Sequence, residues 1–79
     1  MPARRVDPLG EQYAYMQVAD DLECRISSGE IEVKLPSERD LAEDYGVAYT
    51  TIRRAMEILR DRGLIITRHG RGTFITRDR

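Results

Sequence analysis

The sequence predicts a mainly α fold completed by a small β-hairpin, an α+β domain in the order helix, short strand, helix, helix, strand, strand. Three observations predict it. Apolar residues recur at helical spacing in three stretches, near residues 11–28, 37–45 and 49–62. Two short β-branched runs, Leu64-Ile65-Ile66-Thr67-Arg68 and Thr73-Phe74-Ile75-Thr76, flank the glycine-rich His69-Gly70-Arg71-Gly72, which is the pattern of a hairpin. The 79 residues suffice for a single small domain, since domains hold ~50 to 250 residues and one this short buries only ~60% of its unfolded surface.

Residues 1–10 contain Pro2, Pro8 and Gly10 without an apolar period, so they are expected to form a flexible arm ahead of a folded domain at 11–76, with 77–79 starting a linker or tail. Arg4 and Arg5 are of the kind that reach into a minor groove, but a tail without specific contacts is the stronger reading. In the first helix, Tyr15, Val18, Leu22 and Ile26 form one stripe with Ala19 beside it, and Ser27-Ser28-Gly29 stops it, glycine taking the left-handed cap conformation at no Cβ cost. Cys24 falls roughly opposite Leu22, as a surface residue. Ile31-Glu32-Val33-Lys34-Leu35 alternates apolar and polar up to Pro36, a short strand or extended connection.

Ser37 is a good N-cap for the second helix, with Asp40 resembling its capping-box partner. Leu41, Ala42 and Tyr45 give that helix its inner face, and Gly46 ends it. Three residues, Gly46-Val47-Ala48, then lead into the third helix, which Gly63 closes. Two helices joined by a short glycine-containing turn form a helix-turn-helix, whose second helix is the one placed in the major groove. Adding the hairpin makes the order that of a winged helix.

The third helix has two chemically distinct faces. Ile52, Ala55, Met56 and Leu59 sit at i, i+3, i+4 and i+7, facing a core. Thr50, Arg53, Arg54 and Glu57 lie opposite, with Tyr49 at the N-terminal shoulder. Hydroxyls and guanidinium groups near a helix start are the donors that meet phosphates and base edges. A charged outer face alone is common on surface helices, and the helix-turn-helix and hairpin around this one favour DNA. At the hairpin tip, Arg71 and His69 stand beside bare glycine backbone, suited to a phosphate ridge or a minor groove.

Composition excludes several other classes. The 41% hydrophobic and 34% charged content is that of a soluble globular protein. No apolar run is long enough to cross a bilayer, and no apolar h-region follows the N-terminal basic residues, so a cytoplasmic, nucleoid-associated location is expected. One Cys and one His cannot build a four-ligand zinc site, nor one Cys an internal disulfide, so no metal and no cofactor is expected. No nucleophile with its base and no carboxylate pair points to an enzyme. Gly70-x-Gly72 leads into a strand, whereas a dinucleotide loop must lead into a helix. The net charge of −1 conceals an asymmetry: residues 1–48 carry five basic and eleven acidic side chains, net −6, and residues 49–79 carry eight basic and three acidic, net +5. All eight are arginine, whose planar fork binds phosphate and guanine bidentately. Such a dipole is expected to turn the basic half toward DNA.

From about Tyr15 to Ile75 the chain resembles the N-terminal winged-helix DNA-binding domain of the GntR family of bacterial transcription regulators. The resemblance rests on Tyr15-Met16-Gln17-Val18-Ala19, Leu35-Pro36-Ser37-Glu38-Arg39-Asp40-Leu41-Ala42, Tyr45-Gly46-Val47, Thr50-Thr51-Ile52-Arg53-Arg54-Ala55, Gly63-Leu64-Ile65 and Gly70-Arg71-Gly72-Thr73-Phe74. It implies that Arg39 binds DNA, that Thr51 and Arg53 contact phosphate or bases, and that the Gly70 to Gly72 tip touches the minor groove. It also implies a repressor acting on double-stranded DNA at a palindromic operator, and a C-terminal effector-binding and dimerisation domain that this chain lacks. The 79 residues therefore read as an excised DNA-binding module, rather than a short natural protein, that is a monomer or weak dimer in isolation and meets one half-site.

Two departures from the family pattern stand out. Where the family has Ser-Arg before the paired threonines, this chain has Ala48-Tyr49, without the capping hydroxyl and the base-reading guanidinium, which leaves the operator preference open. Tyr49→Arg is expected to change which duplex is preferred more than it changes affinity, and equal effects on all duplexes would refute this. The family's Pro-Gly turn between Gly29 and Leu35 is also missing, so an irregular first strand is expected. The other functional reading is a winged helix used for protein contacts through its acidic first helix, which requires Arg39, Arg53 and Arg71 to be dispensable.

Overall fold

The computed structural model describes residues 13–76; the expected arm with Arg4 and Arg5, and the tail at 77–79, lie outside them. Three helices, α1 (Ala14–Ser27), α2 (Glu38–Tyr45) and α3 (Tyr49–Asp61), are followed by an antiparallel hairpin of β1 (Ile65–Arg68) and β2 (Gly72–Ile75). This is the winged-helix order expected from the sequence.

Local chemistry sets the boundaries. The Ser37 side chain accepts the Asp40 amide at 3.1 Å and so starts α2. Gly46, at φ 70°, closes α2 by donating its amide to the Ala42 carbonyl at 2.9 Å. The chain can then turn at once into α3, which fixes the angle between the two helices. α1 begins at Ala14 behind an N-cap, Tyr13, whose side chain makes no cap bond.

The apolar stripes meet in one core. Val18, Ala19 and Leu22 from α1, Leu41 and Tyr45 from α2, and Ile52, Ala55, Met56 and Leu59 from α3 are buried together with Ile31, Leu35, Ile65 and Ile75. Helix α3 is central, packing against α1, α2 and β1. Every predicted inward residue of α3 is at most 1% exposed, which leaves its opposite face free of the fold.

The expected first strand is irregular, as the missing Pro-Gly turn implied. It is reduced to one bridge, Lys34 opposite Phe74, framed by Leu35 N–H to the Thr73 carbonyl at 2.9 Å and Ile75 N–H to the Val33 carbonyl at 2.8 Å. β2 therefore lies between β1 and this segment. Ile31 and Leu35 anchor the segment to the core while Val33 and Lys34 stay exposed.

The charge asymmetry read from the sequence is not simply displayed on the surface. Arg62, counted with the basic half, reaches back across the fold to Asp20 at 3.2 Å and Glu23 at 2.6 Å on α1. It joins the end of α3 to α1 rather than adding to a basic face. Arg25 similarly bonds Glu30 and, at 3.2 Å, the Tyr45 hydroxyl, which itself donates to Asp21. Burial first, and then the Asp21 bond, push the Tyr45 phenol well above its ordinary value, with Arg25 opposing. Cys24 is exposed, as its position opposite Leu22 implied.

Candidate nucleic-acid interface

The outward face of α3 is built as its period dictates. Thr50, Arg53, Arg54 and Glu57 are exposed, Tyr49 is half exposed, and Thr51 is partly covered. Ala48 at the N-cap supplies no side-chain acceptor; its carbonyl accepts from the Thr51 amide at 3.0 Å, and the Tyr49 and Thr50 amides are left to solvent or an anion.

The two adjacent arginines diverge. The Arg53 guanidinium lies 5.9 Å from the Tyr49 ring centre, toward the start of α3. The Arg54 guanidinium lies 4.7 Å from the Tyr15 ring, and Tyr15 stacks on Tyr13 with ring centres 5.7 Å apart and planes 10° from parallel. A ring holds a guanidinium in place without neutralising it, leaving the N–H fork available.

Tyr49 also reaches α2. The neighbouring Glu38 carboxylate pushes its phenol up, against the opposing pull of Arg53 and Arg39. Between these helix starts lies a cleft of about 560 Å³ lined by Ser37, Glu38, Arg39, Ala42, Glu43 and Tyr49. Arg39 is exposed on its wall.

At the wing, the Arg71 amide donates to the Arg68 carbonyl at 2.9 Å, closing a turn in which Gly70 has φ 76°. His69, Gly70 and Arg71 are exposed. Gly72 differs from the reading of a four-residue tip: it is the first residue of β2, pairs with Arg68 and is partly covered. Thr67 links the wing to α3, accepting from Arg60 at 2.7 Å and lying 3.3 Å from the Thr73 hydroxyl. A second cleft, about 430 Å³, separates the wing from α2, with Ser37 and Glu38 on one wall and Arg68 to Gly72 on the other.

Ser37 and Glu38 thus border both clefts. The start of α2 lies between the start of α3 and the wing turn, so Arg39, Tyr49 at the head of α3 and His69 to Arg71 line adjoining clefts. Sequence reading missed three contributors to this region. Tyr15, on the core stripe by its spacing, lies outside the buried core and seats Arg54; Lys34 and Arg68 line the wing cleft.

The family model for bacterial regulatory proteins of the gntR family matches residues 14–75. The chain belongs to that family. Among its relatives, the HTH-type transcriptional repressor NagR of Bacillus subtilis (strain 168) is 38% identical over 65 residues, covering 80% of this chain and 27% of NagR. The regulator SmoD of Agrobacterium fabrum is 38% identical over 63 residues, 77% of this chain and 27% of SmoD. This GntR-family chain therefore spans about a quarter of the length of these relatives. Among solved structures, AraR(DBD) in complex with operator ORX1 is similar with a TM-score of 0.86 at 32% identity, over 96% of this chain and 99% of that one. YtrA from Sulfolobus acidocaldarius, a GntR-family transcription factor, gives 0.84 at 32% identity, over 94% and 80%.

Proposed function

We propose that this chain is the sequence-specific double-stranded DNA-binding module of a GntR-family transcription regulator, with α3 in the major groove and the wing at the minor groove or phosphate backbone. The observation that carries the reading is the continuity of the surface around Ser37 and Glu38, which joins the two places where DNA grooves are read. Arg53 and Tyr49 are assigned to base edges and sugars, with Thr50, Thr51 and Arg54 on phosphates or bases beside them. Arg39 takes a phosphate from the start of α2. His69, Gly70, Arg71 and Gly72 form the wing contact. The likeness to AraR(DBD) in complex with operator ORX1 supports this placement.

The whole regulator is proposed to be a cytoplasmic, non-enzymatic repressor, in line with the relative NagR. It meets a palindromic operator through two copies of the unit at 11–76, with residues 77–79 starting the linker to an effector-binding, dimerising region. Among the described residues no helix is long and apolar enough to cross a membrane. Nothing supports the protein-contact reading: Asp20 and Glu23 pair with Arg62, and Asp21 accepts from Tyr45.

Fluorescence anisotropy of a labelled mixed-sequence duplex, titrated with the chain at several salt concentrations, tests the proposal. Saturable binding that weakens steeply with salt and with Arg53→Ala supports it. No binding even at low salt overturns it and returns attention to a protein partner.

A further inference from the structure

We propose that Lys34 is a DNA phosphate-binding residue and that Gly72 and Phe74 position it; this rests on the DNA-binding reading above. Lys34 lies outside both the recognition helix and the hairpin turn, in the irregular segment before α2. Its backbone is fixed opposite Phe74 by the bridge to β2. Its side chain crosses directly over Gly72: a Cβ on that glycine would lie 2.6 Å from Lys34 Cε and 3.3 Å from Nζ. Any larger residue at 72 would evict the lysine. The φ of 118° at Gly72 favours glycine for a second reason.

The ammonium is 5.7 Å from the Phe74 ring centre. Among the described residues no carboxylate pairs with it. It is thus held by a ring and a bare backbone, which orient a cation without cancelling its charge. It lines the wing cleft together with Arg68, His69 and Arg71. The acidic side chain on that cleft, Glu38, also lines the neighbouring cleft beside Tyr49 and makes no ion pair with Lys34. With α3 in the major groove and the wing at the minor groove, the sugar-phosphate ridge between the grooves passes this cleft. A phosphate there meets Lys34 from one side and Arg71 from the other.

Lys34→Met tests this, because methionine keeps an apolar stem over Gly72 and Phe74 and removes the charge. Anisotropy titrations of two unrelated duplexes between 50 and 200 mM salt are compared for wild type, Lys34→Met, Lys34→Arg and Arg53→Ala. One lost phosphate contact should lower the slope of log affinity against log salt by about 0.9 for both duplexes, so the wild-type advantage shrinks about 3.5-fold across that salt range. Lys34→Arg should keep the wild-type slope, which a packing role for lysine would not predict. An unchanged slope in Lys34→Met, with Arg53→Ala still impaired, overturns the Lys34 assignment alone. Loss confined to one duplex overturns it in favour of base reading, and wild-type chain that binds neither duplex overturns it together with the DNA-binding reading. Thermal melts that match wild type exclude misfolding, and a Lys34→Met variant that melts early is replaced by Lys34→Gln in the same titration.

Discussion

The α1 side of the molecule and the start of α3 are furnished with the same residue types, arginine and tyrosine, and use them in opposite ways. On the α1 side each guanidinium is met by oxygen: Arg25 by Glu30 and Tyr45, Arg62 by Asp20 and Glu23. At the start of α3 each is met by a ring, Arg53 by Tyr49 and Arg54 by Tyr15. Carboxylates neutralise an arginine and use its donors. Rings place it and leave its donors for something else. The partner's chemistry, rather than the number of arginines, separates the side that holds the fold from the side proposed to meet DNA.

The largest effect that would sharpen this contrast lies on the DNA side. Arg53→Ala should cost about 1 to 3 kcal/mol of binding on the preferred duplex and relax the preference at one base pair, while the melting temperature stays within a degree or two of wild type. Competition titrations against single-base variants of that duplex measure it. An equal loss on every variant would make Arg53 a phosphate contact.

On the fold side, Tyr45→Phe removes the hydroxyl between Arg25 and Asp21 and should cost about 1 to 2 kcal/mol of stability at neutral pH. Its pH dependence has a definite sign. The folded phenol titrates above its ordinary value of 10.0 because burial and Asp21 disfavour the phenolate. Its contribution is therefore complete below about pH 10 and is lost as pH rises from there toward the folded value. Urea midpoints at pH 8 and pH 11 should fall further for wild type than for Tyr45→Phe, and parallel falls would mean that Tyr45 is not the group responsible.

What the sequence made legible is what acts over a few residues. The Ser37 cap, the Gly46 stop, the α3 stripe of Ile52, Ala55, Met56 and Leu59, and the turn at Gly70 all depend on neighbours within about one or two helical turns, and each stands as read. The fate of Arg62 depends on Asp20, 42 positions away, and nothing near Arg62 announces it. Lys34 needs Gly72 and Phe74 beneath it, and Tyr15 needs Arg54 above it. Periodicity puts Tyr15 on the core stripe, but at the first turn of α1 it is only partly covered, lies outside the buried core and stacks with Tyr13 and Arg54 instead. The site was legible where one helix carries it and hidden where two distant segments share a residue.

Arg62→Ala gives the smallest effect and the sharpest test of the contrast. The pair it makes is exposed enough for solvent to screen it, with side chains 32% to 44% accessible, so its loss should cost only ~0.2 to 1 kcal/mol of stability. Asp20 and Glu23, one turn apart on α1, would then lie side by side without the Arg62 charge, which places the cost at the α1–α3 contact and makes it shrink in high salt as screening relieves the repulsion. The variant removes one positive charge, as Arg53→Ala does. If charge count governed DNA affinity, the two would flatten the salt dependence alike. Because Arg62 is held by α1 carboxylates, its loss should leave the slope of log affinity against log salt unchanged. A drop of about 0.9 in that slope would mean that Arg62 leaves α1 for a phosphate when DNA arrives, and the division between fold-side and DNA-side arginines would then hold for the free protein alone.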